Sequence, residues 1–363
     1  MKPMQSAPGA TTLIDGREFD YFCGTGYFAL HGHPDLIAAA CKATQQYGLG
    51  SGTSRTGLTD HPVFLALEAK AAQFFETEAA HYYVSGYLGN SLLLKGLALD
   101  YEVIFADEDS HFSVFDGAAV SGKPTVRFAH GNAEALQQAL QKNLKPGQRP
   151  LVISDGIFPT SGAIAPLQDY HQVLADYDKA LLCVDDAHAT GVLGKKGQGT
   201  LEYLGLQGEG RYSSGTFSKA LGGHGGIIAG SRKLIERVML KAASPAPLGA
   251  AAASAKALDL LMQQPQLRQQ LWDNATYAKQ AFRDVGFSDI PKTPVPFFCL
   301  SGEGINLKTV QQQLYSQGIA VLYIPDGGYS EVPPGGAIRV AICSSHSREQ
   351  IDRLVASVKG LLG

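Results

Sequence analysis

The stretch Ala180-Leu181-Leu182-Cys183-Val184-Asp185-Asp186-Ala187-His188-Ala189-Thr190-Gly191 decides the fold. Its first five residues are apolar without alternation, so the strand they predict is covered on both faces, as inner strands of parallel sheets are. The strand then ends on carboxylates, and open α/β sheets bind their ligands beyond the carboxyl ends of their strands. Working outward, the same rhythm recurs. An amphipathic helix is predicted from Asp60-His61-Pro62 through Phe75, with Leu65, Leu67, Ala71 and Phe74 at helical spacing. Strands follow at 82–84, 103–105, 125–128, 151–153 and 226–229, separated by helices at 88–99, 113–121 and 132–144. This is a doubly wound, mostly parallel α/β domain.

From Ala250 the composition changes. An alanine-rich helix at 250–262 and a polar helix at 267–282 precede strands at 297–300, 319–322 and 338–341, with helices at 306–315 and 348–361. The proline- and glycine-rich stretch 324–336 reads as a loop between strands. The expected organisation is therefore an N-terminal segment, 1–45, packing with a small domain; a large domain, 46–250; and a smaller α+β domain, 251–363. The chain has 363 residues, 45% of them hydrophobic and 17% charged, which is enough for two such cores and excludes a disordered chain. A net charge of −3 gives no reason to expect a nucleic acid or an anionic membrane as partner. No apolar run approaches ~20 residues. The start of the sequence lacks the apolar stretch of a signal peptide. Five cysteines stand singly, without metal-ligand spacing, so no metal is expected and the thiols suit a reducing, cytoplasmic setting.

The chemistry gathers around Lys219, in Ser213-Ser214-Gly215-Thr216-Phe217-Ser218-Lys219-Ala220-Leu221-Gly222-Gly223. A lysine between apolar segments is not placed as a solvated surface residue, and its amine can form a Schiff base. Ser213, Ser214, Thr216 and Ser218 offer hydroxyls to a phosphate, and the glycines let backbone approach closely. Asp185 can pair with a protonated pyridine nitrogen. Asp186, its neighbour, reads as the structural aspartate. His188 faces the same cavity and can hydrogen-bond a phenolic oxygen or move protons. Val84-Ser85-Gly86-Tyr87-Leu88-Gly89-Asn90 joins a strand to a helix, so amides and the positive end of a helix dipole converge there. It matches neither a P-loop nor a dinucleotide-binding fingerprint. His111 follows another strand and can stack on a ring. An amine, a carboxylate and a phosphate cradle are together what pyridoxal 5'-phosphate needs.

These residues resemble the α-oxoamine synthase family of fold-type-I pyridoxal-phosphate enzymes, which includes 8-amino-7-oxononanoate synthase, 2-amino-3-ketobutyrate CoA ligase and serine palmitoyltransferase. The likeness runs from Gly50-Ser51-Gly52-Thr53-Ser54-Arg55 through Val84-Ser85-Gly86-Tyr87, Asp107-Glu108-Asp109-Ser110-His111 and Asp185-Asp186-Ala187-His188 to Thr216-Phe217-Ser218-Lys219 and Ile338-Arg339-Val340. The resemblance implies condensation of an amino acid with an acyl-CoA, with loss of carbon dioxide. Lys219 is then the Schiff-base lysine, Asp185 the pyridine partner, His188 the neighbour of the phenolic oxygen and His111 the stacking ring. Thr216, with Gly86 and Tyr87, would hold the phosphate beside Ser85 and Ser218, and Arg339 would grip the substrate carboxylate. A homodimer with its active site at the interface is implied, part of the 50–57 loop coming from the partner.

Three places depart from the family pattern. The N-terminal arm reads as shortened. Thr25-Gly26-Tyr27-Phe28-Ala29-Leu30 stands for Asn-Asp-Tyr-Leu-Gly-Leu, which puts Thr25 where an amide near the substrate carboxylate is usual. Pro159 stands for a serine. An aminotransferase or a racemase-like enzyme would use the same cofactor residues, and these residues alone leave that outcome open. A cofactor-binding regulator would carry a basic DNA-binding extension, and none is present.

Overall fold

The computed structural model describes residues 2–242, 246–302, 304–327, 332 and 334–362. It divides into two compact units, one of residues 34–158 and 164–263, the other of residues 1–33, 159–163 and 264–363. In chain order, β1 (Thr11–Ile14) and β2 (Arg17–Tyr21) form a hairpin. There follow α1 (Pro34–Tyr47), α2 (Pro62–Phe75), β3 (Ala79–Tyr83), α3 (Gly89–Gly96), β4 (Val103–Asp107), α4 (Phe112–Ser121), β5 (Thr125–Phe128) and α5 (Ala133–Asn143). Next are β6 (Pro150–Asp155), α6 (Leu167–Leu174), β7 (Leu181–Asp185), the single turn α7 (Thr200–Tyr203), β8 (Arg211–Thr216), β9 (Gly226–Gly230), α8 (Arg232–Met239) and α9 (Leu248–Gln263). The chain closes with α10 (Gln266–Asp284), β10 (Phe297–Leu300), α11 (Leu307–Ser316), β11 (Ile319–Ala320), β12 (Leu322–Ile324), β13 (Ala337–Ala341) and α12 (Arg348–Leu362).

The larger unit is built on a seven-stranded sheet of order β3-β9-β8-β7-β6-β4-β5. Every residue of β4, β6 and β7 is buried, as inner strands covered on both faces must be. One face packs Ile104, Ile153 and Cys183 against Leu93, Val114 and Val238 from α3, α4 and α8. Parallel register aligns Asp155 of β6 with Asp185 of β7, and Asp185 with Ser214 of β8. Three polar residues therefore stand in one rank at the carboxyl edge.

Three expectations change. The strand at 226–229 belongs to β9, which among the described residues is the one strand of this sheet that runs antiparallel. The nine residues 217–225 that link it to β8 are too few for a parallel crossover. β8 itself, Arg-Tyr-Ser-Ser-Gly-Thr, gave no apolar signal because its carboxyl half carries polar groups. The boundary placed at 250 falls later, since α9 packs against α1 and α2 in the sheet-bearing unit. Residues 34–45 join that unit for the same reason.

The smaller unit holds two three-stranded sheets, β1-β2-β11 and β10-β13-β12, over a core that includes Phe22, Phe282, Phe298, Val340 and Leu354. Of the loop read at 324–336, Ile324 closes β12, and residues 328–331 and 333 lie outside the described residues.

Two features of this unit have measurable consequences. Ala29 stands where the family pattern has glycine, and it adopts φ 54° and ψ 29°, a left-handed conformation that costs an L-residue with a Cβ. Ala29→Gly is expected to stabilise the protein by about 1 kcal/mol, raising Tm by roughly 1–1.5 °C; an unchanged or lower Tm would show that the turn is not strained. His346 is buried, stacked 4.2 Å from Phe22, and its Nδ1 accepts from the Cys343 amide at 2.9 Å. Burial pulls its pKa from 6.5 down to about 4. The unfolded chain therefore binds this proton at a pH where the folded chain refuses it. Stability should fall as pH is lowered from 6.5 toward 4, by about 3 kcal/mol at most. Urea midpoints at pH 7 and pH 5 test this: the drop should shrink in His346→Phe, and an equal drop in that variant assigns the acid sensitivity elsewhere.

Candidate active site

Asp185 ends β7 and is 9% exposed. Its Oδ1 accepts from the Ala187 amide at 3.0 Å and its Oδ2 from Asn90 Nδ2 at 2.6 Å, so the plane of the carboxylate is set from two sides. Asp186 is turned to a structural task. It accepts from the Thr200 amide and, at 2.6 Å, from the Thr200 hydroxyl, while burial pushes its pKa up to about 7. His188, in the turn after β7, is buried, and its Nε2 lies 2.8 Å from Lys219 Nζ. Lys219 sits in the β8–β9 link, so the antiparallel pairing that makes the link short also keeps it at the carboxyl edge beside β7.

His111 caps α4. Its Nδ1 accepts from the Ser113 amide at 3.1 Å, and its own amide donates to Asp155 Oδ2 at 3.0 Å. Burial lowers the pKa of its ring; the charge of Asp185 opposes that effect and the charge of Lys219 adds to it. The ring is thus neutral at physiological pH and sits within the field of both groups. Asp155, not foreseen as part of the site, is buried with its Oδ1 left without a hydrogen-bond partner among the described residues. Burial and then the neighbouring Asp185 raise its pKa well above the ordinary carboxylate value.

The two turns expected to hold a phosphate are brought together. Ser85 precedes a single 3-10 turn, Gly86–Leu88, and its carbonyl accepts from the Leu88 amide. A Cβ on Gly86 would lie 2.6 Å from Thr216 Oγ1, so only glycine lets this turn close on the end of β8. Thr216 Oγ1 accepts from the Ser218 amide, and Ser218 Oγ accepts from the Gly225 amide, which knits the β8–β9 link into a compact loop. Tyr87 is half-exposed and its hydroxyl donates to Asp116. Ser214 has a different task from the phosphate contact expected of it: its hydroxyl donates to Asn90 Oδ1 at 3.2 Å. Asn90 gave no signal beyond its place after Gly89 in the quoted turn.

In the smaller unit, Arg339 is 5% exposed on β13. Its Nε donates to the Pro159 carbonyl at 2.9 Å and its Nη1 to the Gly24 carbonyl at 3.1 Å, and the guanidinium lies 4.2 Å over the Phe297 ring. Pro159 cannot offer the serine's hydroxyl, yet its carbonyl orients the arginine. Thr25 lies in the segment between these contacts, its carbonyl accepting from the Tyr27 amide.

An amine beside an imidazole, a carboxylate held by two donors, a neutral ring and a glycine-lined turn against two hydroxyls fit pyridoxal phosphate. The donor set is the one its ring nitrogen, aldehyde carbon and phosphate require. Among the described residues no group of His, Cys, Asp and Glu could hold a metal ion, and no helix is long and apolar enough to cross a membrane.

Comparison with known proteins agrees with this reading. The family model "Aminotransferase class I and II" matches residues 24–358. An 8-amino-7-oxononanoate synthase of Symbiobacterium thermophilum is 34% identical over 98% of this chain and 92% of its own length. The one of Trichlorobacter lovleyi is 36% identical over 95% and 89%. Among solved structures, a serine palmitoyltransferase from S. paucimobilis with bound PLP-myriocin aldimine superposes with a TM-score of 0.90, covering 99% of this chain and 92% of that one at 26% identity. This chain therefore belongs to the class I and II aminotransferase family and, within it, is an α-oxoamine synthase of fold type I whose cofactor is pyridoxal 5'-phosphate.

Proposed function

We propose that the chain is an 8-amino-7-oxononanoate synthase, the activity carried in its relatives' names. That name describes the chemistry. A nine-carbon acid with a ketone on carbon 7 and an amine on carbon 8 divides between those carbons into alanine less its carboxylate and a seven-carbon dicarboxylic acyl group. The substrates are accordingly alanine and the CoA thioester of that diacid. One carbon–carbon bond forms, from alanine's α-carbon to the acyl carbonyl. The carbon–sulfur bond breaks to release thiol, the carboxylate leaves as carbon dioxide, and the α-carbon ends with one proton.

The observation that carries this reading is the approach of Lys219 Nζ to His188 Nε2, 2.8 Å apart, at the strand edge that presents Asp185. Bound pyridoxal phosphate supplies the electron sink for charge developing at the α-carbon. Lys219 would anchor the cofactor and then take and return the α-proton at Nζ, with His188 Nε2 placed to share it. Asp185 would hold the proton on the ring nitrogen. His111, neutral because it is buried, would stack without adding charge. Thr216, Ser218 and the turn Ser85-Gly86-Tyr87 would hold the phosphate. Arg339, oriented by Pro159 and Gly24, takes a carboxylate through the donors still open on its fork.

A thiol-release assay with alanine and the seven-carbon diacid CoA thioester is expected to show turnover, with glycine, serine and palmitoyl-CoA as weaker combinations. Lys219→Ala should fold, lose the borohydride-reducible cofactor adduct and lose turnover by at least ~10³-fold. Amino transfer to an oxo acid without any thioester would replace this function with transamination. A retained adduct in Lys219→Ala would move the anchor to another amine.

We further infer that the enzyme is a cytoplasmic homodimer. Leu49 and Leu58 flank the 50–57 loop and are 78% and 98% exposed, a cost that a second copy would remove. Arg55 roots the loop, its guanidinium bound to Asp60, Glu68 and the Tyr82 carbonyl. Sedimentation should give a dimer that Leu58→Asp weakens, with activity falling alongside; a fully active monomer would refute it.

A further inference from the structure

Asn90 is fully buried in the first turn of α3, and all of its hydrogen-bonding groups are directed. Asp185 Oδ2 can only accept, so the amide nitrogen of Asn90 must face it, at 2.6 Å. The same nitrogen donates to Ser113 Oγ at 3.1 Å, and Asn90 Oδ1 accepts from Ser214 Oγ at 3.2 Å. Ser113 Oγ, having accepted from Asn90, spends its own proton on His111 Nδ1, 2.7 Å away. The Ser113 amide points at the same nitrogen. His111 Nδ1 is thus an acceptor, and the neutral ring keeps its proton on Nε2.

The result is a one-way chain of donors. It runs from Ser214 to Asn90, and from Asn90 both to Asp185 and, through Ser113, to His111. Two glycines make room for it. A Cβ on Gly89 would lie 2.6 Å from the Tyr83 hydroxyl and 2.8 Å from Ser214. One on Gly117 would lie 2.9 Å from the Ser91 amide nitrogen and 3.1 Å from Asn90 Cβ, so α4 reaches Asn90 only because that position is glycine. The chain therefore links α3, α4, β7 and β8, and joins the carboxylate of Asp185 to the imidazole of His111, the two groups that would hold the cofactor's ring.

We propose that Asn90 is a positioning residue that sets the carboxylate of Asp185 and the Nε2–H form of His111 together, and so tunes the bound cofactor. The proposal rests on pyridoxal phosphate lying between these two groups. Losing the Asn90 donor leaves Asp185 Oδ2 unsatisfied and free to turn, which loosens its hold on the ring nitrogen's proton and weakens the ring's pull on electrons. The nitrogen at the lysine link then becomes more basic.

Two variants test this. Asn90→Leu removes every polar contact at similar volume; Asn90→Asp keeps the shape and the Ser214 contact but sets an acceptor against an acceptor. Cofactor-free protein is reloaded with pyridoxal phosphate, and two quantities are read: binding affinity, and the pH midpoint of the visible absorbance. Both variants are expected to bind at least tenfold more weakly and to titrate about one pH unit higher or more, with far-UV circular dichroism unchanged. Ser113→Ala, which cuts only the His111 branch, should keep its affinity within about threefold of wild type. A folded Asn90→Asp protein with wild-type affinity and midpoint would overturn the proposal, even if Asn90→Leu fails to fold. A wild-type protein without a visible band would overturn the cofactor assignment and this proposal with it, so the two failures are told apart.

Discussion

The active site depends on the shortness of the link between β8 and β9. Nine residues cannot carry a strand back to the far edge of a sheet for a parallel re-entry, so β9 must pair antiparallel to β8. Lys219 in that link is thereby confined to the carboxyl edge, next to β7, where Asp185 and His188 emerge. Thr216, at the start of that link, lies against Gly86 and accepts from the Ser218 amide, so the amine and the hydroxyls proposed for the phosphate come from one stretch of chain. A longer link would relax both at once.

Around that turn, the site concentrates groups that burial alone disfavours. Asp155, Asp185 and Asp186 end neighbouring strands or follow them, and all are buried. Each is handled differently. Asp185 receives two N–H donors, Asp186 is held by Thr200, and burial beside Asp185 pushes the pKa of Asp155 upward. Such clustering of buried carboxyls costs stability and is tolerated where catalysis needs environments that differ over a few ångströms. Asn90 makes the arrangement specific, because its amide has both donor and acceptor ends and can therefore impose a direction on its neighbours.

Where the chain departs from the pattern of its family, the backbone takes over from side chains. Pro159 lacks a hydroxyl, but its carbonyl fixes Arg339 together with that of Gly24. Ala29 stands where the family pattern has glycine and is held in a left-handed conformation.

The amino-acid order by itself determined the doubly wound sheet, because buried parallel strands must be apolar throughout and 103–105, 151–153 and 180–184 are. It also singled out Lys219, Asp185, His188 and His111 as candidates, because few residue types can do the chemistry proposed for them. Apolar periodicity could not reveal β8, whose polar residues are buried by their neighbours and not by their own character. It could not reveal the antiparallel turn of β9, or the place of α9 beside α1 and α2. The roles of Asn90, Ser113 and Asp155 were equally hidden. They arise from hydrogen bonds between residues far apart along the chain, and only the tertiary structure, by closing α3 and α4 over the strand ends at Gly89 and Gly117, decided which donor met which acceptor.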